Sequence, residues 1–149
     1  LDDLDIRPVD WCGVGLVHGG FARRTRTLLR QMDDFVGKSD RLVVCGYSLG
    51  GACAVLAAAR LAYKGKSVES VLTFGSPKLV SSRFQESYRA LGLWDKTINY
   101  ATPLDPVVHD IPYMYEAVGH DRIVPYEGAR RWSHHTMEAY VHAVRDQST

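Results

Sequence analysis

Short apolar runs alternate along the chain with longer stretches in which apolar residues recur every three or four positions. The short runs are rich in β-branched residues and predict strands at 14–18, 41–45, 68–74 and 97–102. The longer stretches predict helices at 21–36, 50–63, 82–91 and 137–144. Between 103 and 131 the chain is interrupted by prolines and is predicted to be irregular.

Strands that alternate with helices are typical of βαβ units. The sequence therefore predicts a single α/β domain over 1–149, with a parallel sheet and helices on both faces. We expect the strand at 41–45 to be buried on both faces, and Cys45 and Cys53 to be compact buried residues. Ser82 and Ser133 are expected to cap the helices that follow them. In such a sheet, ligands bind beyond the carboxyl ends of the strands.

Composition and charge narrow the class of protein. Of the 149 residues, 46% are hydrophobic and 23% are charged, which favours a folded domain with a real core. The formal net charge of +1 lacks the basic excess of proteins that bind nucleic acid, so no nucleic-acid partner is predicted. The three cysteines offer no disulfide framework and favour an intracellular setting. The chain begins at Leu1 and not at Met, which is compatible with a mature product or a fragment.

Arginines gather in the predicted helix at 21–36. At helical spacing they are expected to form a solvated face, and the same residues would suit a transient contact with an anionic lipid surface. No segment is apolar for long enough to span a membrane. The residues concerned are Arg23, Arg24, Arg26 and Arg30.

A glycine-rich turn between a predicted strand and a predicted helix carries the clearest chemistry. Its sequence is Gly46-Tyr47-Ser48-Leu49-Gly50-Gly51. A tight turn of this kind lifts one hydroxyl above the edge of the sheet, and the glycines two residues either side of Ser48 are expected to remove side chains that would collide there. The start of the helix favours negative charge nearby, and the N–H of Leu49 is expected to face a developing oxyanion. The sequence thus predicts Ser48 as a nucleophile.

A serine nucleophile needs a base, and in hydrolases with such a turn the chain order is serine, acid, histidine. Asp105 follows the strand at 97–102 between two prolines and is the preferred acid, with Asp110 and Asp121 as rivals. Of the six histidines, His134 and His135 lie in the loop before the last helix, and spacing alone does not separate them. No carboxylate or cysteine lies at ligand spacing from this pair, so neither a metal ion nor a cofactor is predicted.

Four segments share their residues and their order with a known family. As a set they resemble the class 3 lipases, the fungal triacylglycerol lipases and their plant and microbial relatives, which have an α/β-hydrolase fold. That family usually has histidine where Tyr47 stands. The segments are Val17-His18-Gly19-Gly20-Phe21, Gly46-Tyr47-Ser48-Leu49-Gly50-Gly51-Ala52, Leu72-Thr73-Phe74-Gly75-Ser76-Pro77 and the stretch 99–107 with Asp105-Pro106-Val107.

The resemblance assigns roles that spacing leaves open. The family has a catalytic histidine that opens a helix and is followed by a tyrosine, and His135-Thr136-Met137-Glu138-Ala139-Tyr140 fits that frame better than one begun at His134. The resemblance therefore implies His135 as the base and Asp105 as the acid. The family also has an upstream strand ending in an arginine–glycine–threonine/serine turn, which supplies a second oxyanion donor. That strand is not found before Leu1-Asp2-Asp3-Leu4-Asp5, which resembles the segment just after the turn.

The residues and the resemblance together predict a serine carboxylic-ester hydrolase that works through an acyl-enzyme. The resemblance implies a small-molecule lipid ester, such as an acylglycerol, as the substrate. A thioesterase or acyltransferase would use the same three side chains, and a catalytically weak hydrolase fold that serves as a binding module is an alternative of another class.

Overall fold

A computed structural model describes residues 7–32, 36–37, 41–110 and 115–146 of the chain. Its strands are β1 (Pro8–Asp10), β2 (Leu16–His18), β3 (Arg41–Tyr47), β4 (Ser67–Phe74), β5 (Thr97–Ala101) and β6 (His120–Ile123). Its helices are α1 (Gly19–Met32), α2 (Leu49–Tyr63), α3 (Ser82–Ala90), α4 (Pro106–His109) and α5 (Met137–Arg145), with short 3₁₀ turns at Trp94–Lys96 and Arg131–His135.

The described strands form a parallel sheet and a small antiparallel ribbon. The sheet has four strands in the order β3-β4-β5-β6, and every neighbouring pair is parallel. The ribbon pairs β1 with β2. The predicted parallel α/β architecture is therefore confirmed, and the carboxyl ends of β3, β4 and β5 share one edge of the sheet.

Helices cover both faces of this sheet. On one face the small side chains of α2 pack closely onto Val44 of β3 and Val71 of β4, within the larger apolar cluster. On the other face α5 contributes Tyr140 and Ala143 to a second cluster, together with Phe74 at the end of β4. The strand residues in this cluster, Tyr47, Phe74 and Tyr100, stand at the carboxyl ends of β3, β4 and β5, so α5 packs near the edge at which those strands end.

Strand β3 is not buried on both faces as predicted. Its side chains alternate, with Leu42 and Val44 packed against the core while Val43 is 60% exposed and Cys45 is exposed. The reason is that β3 is the edge strand of the described sheet, and of its residues only Tyr47 joins the cluster that contains α5. Cys53, in α2, is buried as expected.

The region from 103 to 131 is more regular than predicted, since it contains α4 and β6. All of the residues of β6 are exposed, and it has no apolar run. It joins the sheet by backbone pairing with β5 and by a hydrogen bond that the Asn99 side chain donates to Asp121. The predicted caps are also displaced. Ser81 rather than Ser82 accepts the N–H of Phe84, and Thr136 rather than Ser133 caps α5.

Some expectations concern residues that the structure does not describe. The segment 1–5, with its resemblance to the stretch after an oxyanion turn, lies outside the described residues, as do positions 33–35 of the predicted first helix. The arginines at 23, 24, 26 and 30 are exposed along α1, as expected of a solvated face. None of the helices in the described ranges has the length and apolar character required to cross a bilayer.

The hydrophobic core contains a tyrosine, Tyr88, whose hydroxyl proton makes the stability of the fold depend on pH. Tyr88 is fully buried; its hydroxyl donates to Thr97 Oγ1 (2.9 Å), which donates in turn to the carbonyl of Leu93 (2.9 Å). Burial raises the pKa of Tyr88 above the ordinary value of 10.0 for tyrosine. The folded state therefore holds the hydroxyl proton of Tyr88 more tightly than the unfolded state does. Below pH 10 the proton is bound in both states, and the contribution of Tyr88 to the free energy of unfolding is constant. Above pH 10 the unfolded state loses the proton first, so the free energy of unfolding decreases as the pH rises.

Replacing Tyr88 with phenylalanine is expected to lower the free energy of unfolding by about 1 kcal/mol at neutral pH, because Thr97 loses its hydroxyl partner. Above about pH 10 the variant should lose stability less steeply than the wild type, by up to about 1.4 kcal/mol per pH unit. Urea titrations from neutral to alkaline pH measure both effects. Tyr63→Phe is the control, since that side chain is 62% exposed. Parallel pH profiles for the wild type and Tyr88→Phe would contradict the prediction.

Candidate active site

Ser48 stands at a strained turn between β3 and α2. Its backbone has φ 53° and ψ −124°, a region that residues with a side chain rarely adopt. The N–H of Ser48 donates to the carbonyl of Phe74 at the end of β4 (2.8 Å), and its own carbonyl accepts from the N–H of Gly51 (2.9 Å). These bonds fix the turn between the sheet and the helix, so the hydroxyl projects from the carboxyl edge of the sheet.

Two of the nearby glycines are required by close packing. A Cβ atom at Gly46 would lie 2.0 Å from the carbonyl oxygen of Gly50, and one at Gly51 would lie 2.7 Å from the Cβ of Ser76. At Gly50 itself, a Cβ would meet nothing within 4 Å. The expectation that the glycines either side of Ser48 both prevent collisions is thus correct for Gly46 and wrong for Gly50, whereas Gly51 is the second position that needs glycine.

The N–H of Leu49 is the first backbone donor of α2. The first N–H groups of a helix have no acceptor within the helix, and none of the backbone bonds between described residues uses this one. Leu49 follows Ser48 directly and is the first residue of a fifteen-residue helix, at its positive end. Leu49 can therefore donate to negative charge that develops next to Ser48.

Asp105 is held from several sides after β5. It is fully buried and stands at the N-cap of α4, where Oδ1 accepts the N–H of Val107 (2.8 Å). The hydroxyl of Tyr140 donates to Oδ2 (2.5 Å). These donors orient the carboxylate, and a buried carboxylate needs such partners because burial disfavours its charge.

His135 connects Asp105 to Ser48. Its Nδ1 lies 2.9 Å and 2.8 Å from the two carboxylate oxygens of Asp105, and its Nε2 lies 2.8 Å from the Ser48 hydroxyl oxygen. A carboxylate only accepts, so the proton of a neutral imidazole belongs on Nδ1. Nε2 is then the bare nitrogen and accepts the hydrogen bond from Ser48.

The structure separates the rival residues from this group. His134 is 2% exposed, with Nε2 against the carbonyl of Gly128 (3.2 Å) and its ring edge-on to Tyr126. Asp110 is exposed and pairs with Arg131 at 2.8 Å, and Asp121 accepts from Asn99. The side chains that come together are those of Ser48, Asp105 and His135.

Tyr140 and Gly75 also belong to the site. Tyr140 is 1% exposed, and its pKa is raised by burial and by its bond to Asp105, so it remains a hydrogen-bond donor at neutral pH. In the sequence, Tyr140 is only the tyrosine of the family frame begun by His135, without a role of its own. Gly75 has φ +59°, and a Cβ there would lie 2.9 Å from Asp105 Oδ2, 3.0 Å from the Tyr140 hydroxyl and 3.1 Å from His135 Nδ1. In the sequence, Gly75 lies at a strand end within a family segment and has no predicted role in the site.

Together these features define a class of fold. A serine at a strained strand-to-helix turn, on the carboxyl edge of a parallel sheet between two layers of helices, is the arrangement of the α/β-hydrolase fold. The model of a family described as Lipase (class 3) matches residues 4–116. The chain belongs to the class 3 lipase family, which confirms the resemblance that the sequence motifs indicated.

Solved structures show the same fold. The chain is similar to the Rhizomucor miehei lipase in its propeptide complex, with a TM-score of 0.62 and 24% identity over 82% of this chain and 43% of that one. It is also similar to a triacylglycerol lipase whose catalytic centre is formed by a serine protease triad, with a TM-score of 0.63 and 25% identity over 82% of this chain and 51% of the other. The chain thus spans about half the length of these lipases.

A bacterial relative matches a smaller part of the chain. Toxin TseL of Vibrio cholerae serotype O1 is 36% identical over 93 residues, which are 60% of this chain and 14% of TseL. The chain therefore corresponds to a small portion of that protein.

Proposed function

We propose that this protein hydrolyses carboxylic esters, with Ser48 as the nucleophile, His135 as the general base and Asp105 as the group that orients the base. The observation that carries the proposal is the continuous chain of hydrogen bonds from the buried carboxylate of Asp105, through both ring nitrogens of His135, to the Ser48 hydroxyl. Donor and acceptor roles along this chain all favour removal of the Ser48 proton.

The chemistry follows from these positions. The Ser48 oxygen attacks the carbonyl carbon of the ester while its proton passes to His135 Nε2, and the carbonyl oxygen takes up negative charge near the N–H of Leu49. The carbon–oxygen bond to the alcohol then breaks, and His135 returns the proton to the leaving alkoxide. Water attacks the acyl-enzyme in the same way, which releases the carboxylic acid and restores Ser48.

We propose lipid esters, such as acylglycerols, as the substrate class. Apolar side chains are exposed beside the three residues: Leu104, next to Asp105, is 48% exposed, and Trp132, 67% exposed, has its ring edge-on to His135 at 6.3 Å. Such surfaces suit an acyl chain or a transient contact with a lipid surface. The similar solved structure of a triacylglycerol lipase with a serine protease triad supports the same class.

The test is a rapid-mixing measurement with a chromogenic ester. We expect a burst of alcohol equal to the enzyme concentration, followed by slower turnover, and an acyl group on the peptide that contains Ser48 in acid-quenched samples. Both results follow if deacylation is the slower step. Acylation of another residue, or turnover with no acyl-enzyme in the presence of a slowly hydrolysed ester, would contradict the proposal.

Gly75 provides a further prediction for the same reaction. In Gly75→Ala, the new methyl group would crowd Asp105, Tyr140 and His135, so kcat/KM is expected to fall by about 10²-fold as the base is displaced. Gly92→Ala is the matched control, because Gly92 has a similar φ of +69° but open space around a Cβ. Both variants should lose about 1–2 kcal/mol of stability from the backbone strain. Equal activities in the two variants would contradict the assignment of Gly75 to the site.

A further inference from the structure

The tyrosine that precedes Ser48 makes two contacts with His135. The Tyr47 hydroxyl donates to the backbone carbonyl of His135 (2.6 Å), and the Tyr47 ring stacks on the imidazole with centroids 5.2 Å apart and planes 26° apart. The same ring lies edge-on to Tyr140 at 6.0 Å. Tyr47 therefore sits between the histidine and the tyrosine that donates to Asp105.

His135 lies where a short 3₁₀ turn meets the N-cap of α5. It ends the 3₁₀ turn Arg131–His135, and the chain before that turn, from 124 to 130, has no helix or strand. Two side chains from the ends of strands also donate to the backbone here: Thr102 donates to the carbonyl of His134 (2.8 Å), and Tyr47 donates to the carbonyl of His135 (2.6 Å). Tethers from the ends of β5 and β3 therefore act on the backbone next to the imidazole, in addition to the bonds that Asp105 and Ser48 make with its ring.

We propose that Tyr47 is a positioning residue that fixes the backbone and the ring plane of His135 relative to Ser48, an inference that rests on the proposed function. Tyr47 is bonded covalently to Ser48, so its tether ties the base to the same turn that carries the nucleophile. The hydroxyl must keep its proton to donate to a carbonyl. Burial and the nearby carboxylate of Asp105 raise the pKa of Tyr47, which maintains that proton over a wide pH range.

The first experiment removes only the hydroxyl. Tyr47→Phe keeps the stacked ring and is expected to lower kcat by about tenfold with KM unchanged, because a small displacement of the base slows the proton transfer. The rate at which a fluorophosphonate labels Ser48 should fall by the same factor. Tyr126→Phe is the matched control, since its ring packs on His134 in the same cluster, and it should change either rate by less than about twofold.

The second experiment keeps a hydroxyl and changes its acidity. Fluorinated tyrosine incorporated at position 47 has a lower phenol pKa, so it loses its donor proton at lower pH. We expect activity near that of the wild type at neutral or lower pH and an alkaline decline in kcat that begins at lower pH than in the wild type. The same residue at position 126 should leave the profile unchanged. This readout remains informative if Tyr47→Phe does not fold.

The outcomes separate the inference from the function on which it rests. Absence of labelling at Ser48 in the wild-type protein would overturn both. Labelling of wild type and Tyr47→Phe at equal rates, or an alkaline decline in kcat that coincides for wild-type and fluorinated protein, would overturn the role of Tyr47 and leave the proposed function standing.

Discussion

Replacement of Ser48 by alanine is expected to reduce kcat for a chromogenic ester by about 10⁴–10⁶-fold. The hydroxyl is the only group removed, and the reaction then lacks both the attacking oxygen and the acyl-enzyme that divides it into two steps. Residual hydrolysis would depend on water activated by His135 and on the N–H of Leu49. The measurement is steady-state turnover, together with the burst, which should be absent.

Ser76→Ala is the matched control for that loss. Ser76 follows β4 at the same edge of the sheet, and its hydroxyl donates to the carbonyl of Pro77 (3.3 Å) rather than to His135. Its removal should change kcat by less than about threefold. Folding of both variants is checked by thermal unfolding, where Ser48→Ala should lose no more than about 1 kcal/mol of stability, because it removes a single partly buried hydrogen bond, the one to His135. A Ser48→Ala variant that retains a tenth of wild-type kcat would rule out Ser48 as the nucleophile.

The meeting of Ser48 and Asp105 could be predicted because parallel strands place their carboxyl ends at one edge. A strand pattern before each residue was sufficient, since β3 and β5 both flank β4 in the sheet. The glycine-rich turn around Ser48 could also be predicted, because the positions of its glycines reflect a local steric requirement. These parts of the site depend on short stretches of chain and on a general rule of sheet topology.

Other parts of the site depend on distant contacts that no local pattern records. Gly75 is needed because atoms of Asp105, Tyr140 and His135 surround the position of its missing side chain. A strand end followed by glycine, serine and proline has many simpler causes. The positive φ of Gly75 was likewise not predictable, because the turn that follows β4 is fixed by a hydrogen bond from its N–H to the carbonyl of Tyr100 (3.0 Å).

The errors in the fold have similar causes. An apolar run does not distinguish a strand that is covered on both faces from one with an exposed face. For that reason β3 was wrongly predicted to be buried on both faces, whereas Val43 is 60% exposed. Strand β6 could not be predicted from its sequence, because all of its side chains are exposed and do not alternate between apolar and polar. Its backbone pairing with β5 makes it a strand. In both elements tertiary position, rather than local sequence, decides the outcome.

The neighbouring histidines provide the second large prediction. His135→Ala is expected to lower kcat by about 10⁴–10⁶-fold, because the Ser48 proton then has no acceptor. His134→Ala should lower kcat per folded molecule by less than about tenfold and instead reduce stability by about 1–3 kcal/mol. The reason is that His134 is buried with its ring against Tyr126 and the carbonyl of Gly128, whereas Ser48 and Asp105 bond to His135.

Steady-state kinetics and urea unfolding of the two alanine variants measure these opposite effects. In addition, fluorophosphonate labelling of Ser48 should be lost in His135→Ala and retained in His134→Ala. Residues 134 and 135 are adjacent in one 3₁₀ turn, but their rings bond to different partners, Gly128 and Ser48. The two variants therefore test whether catalysis requires the bond to Ser48 or only a histidine near it. An inactive His134→Ala protein that is folded, alongside an active His135→Ala protein, would reverse the assignment of the base.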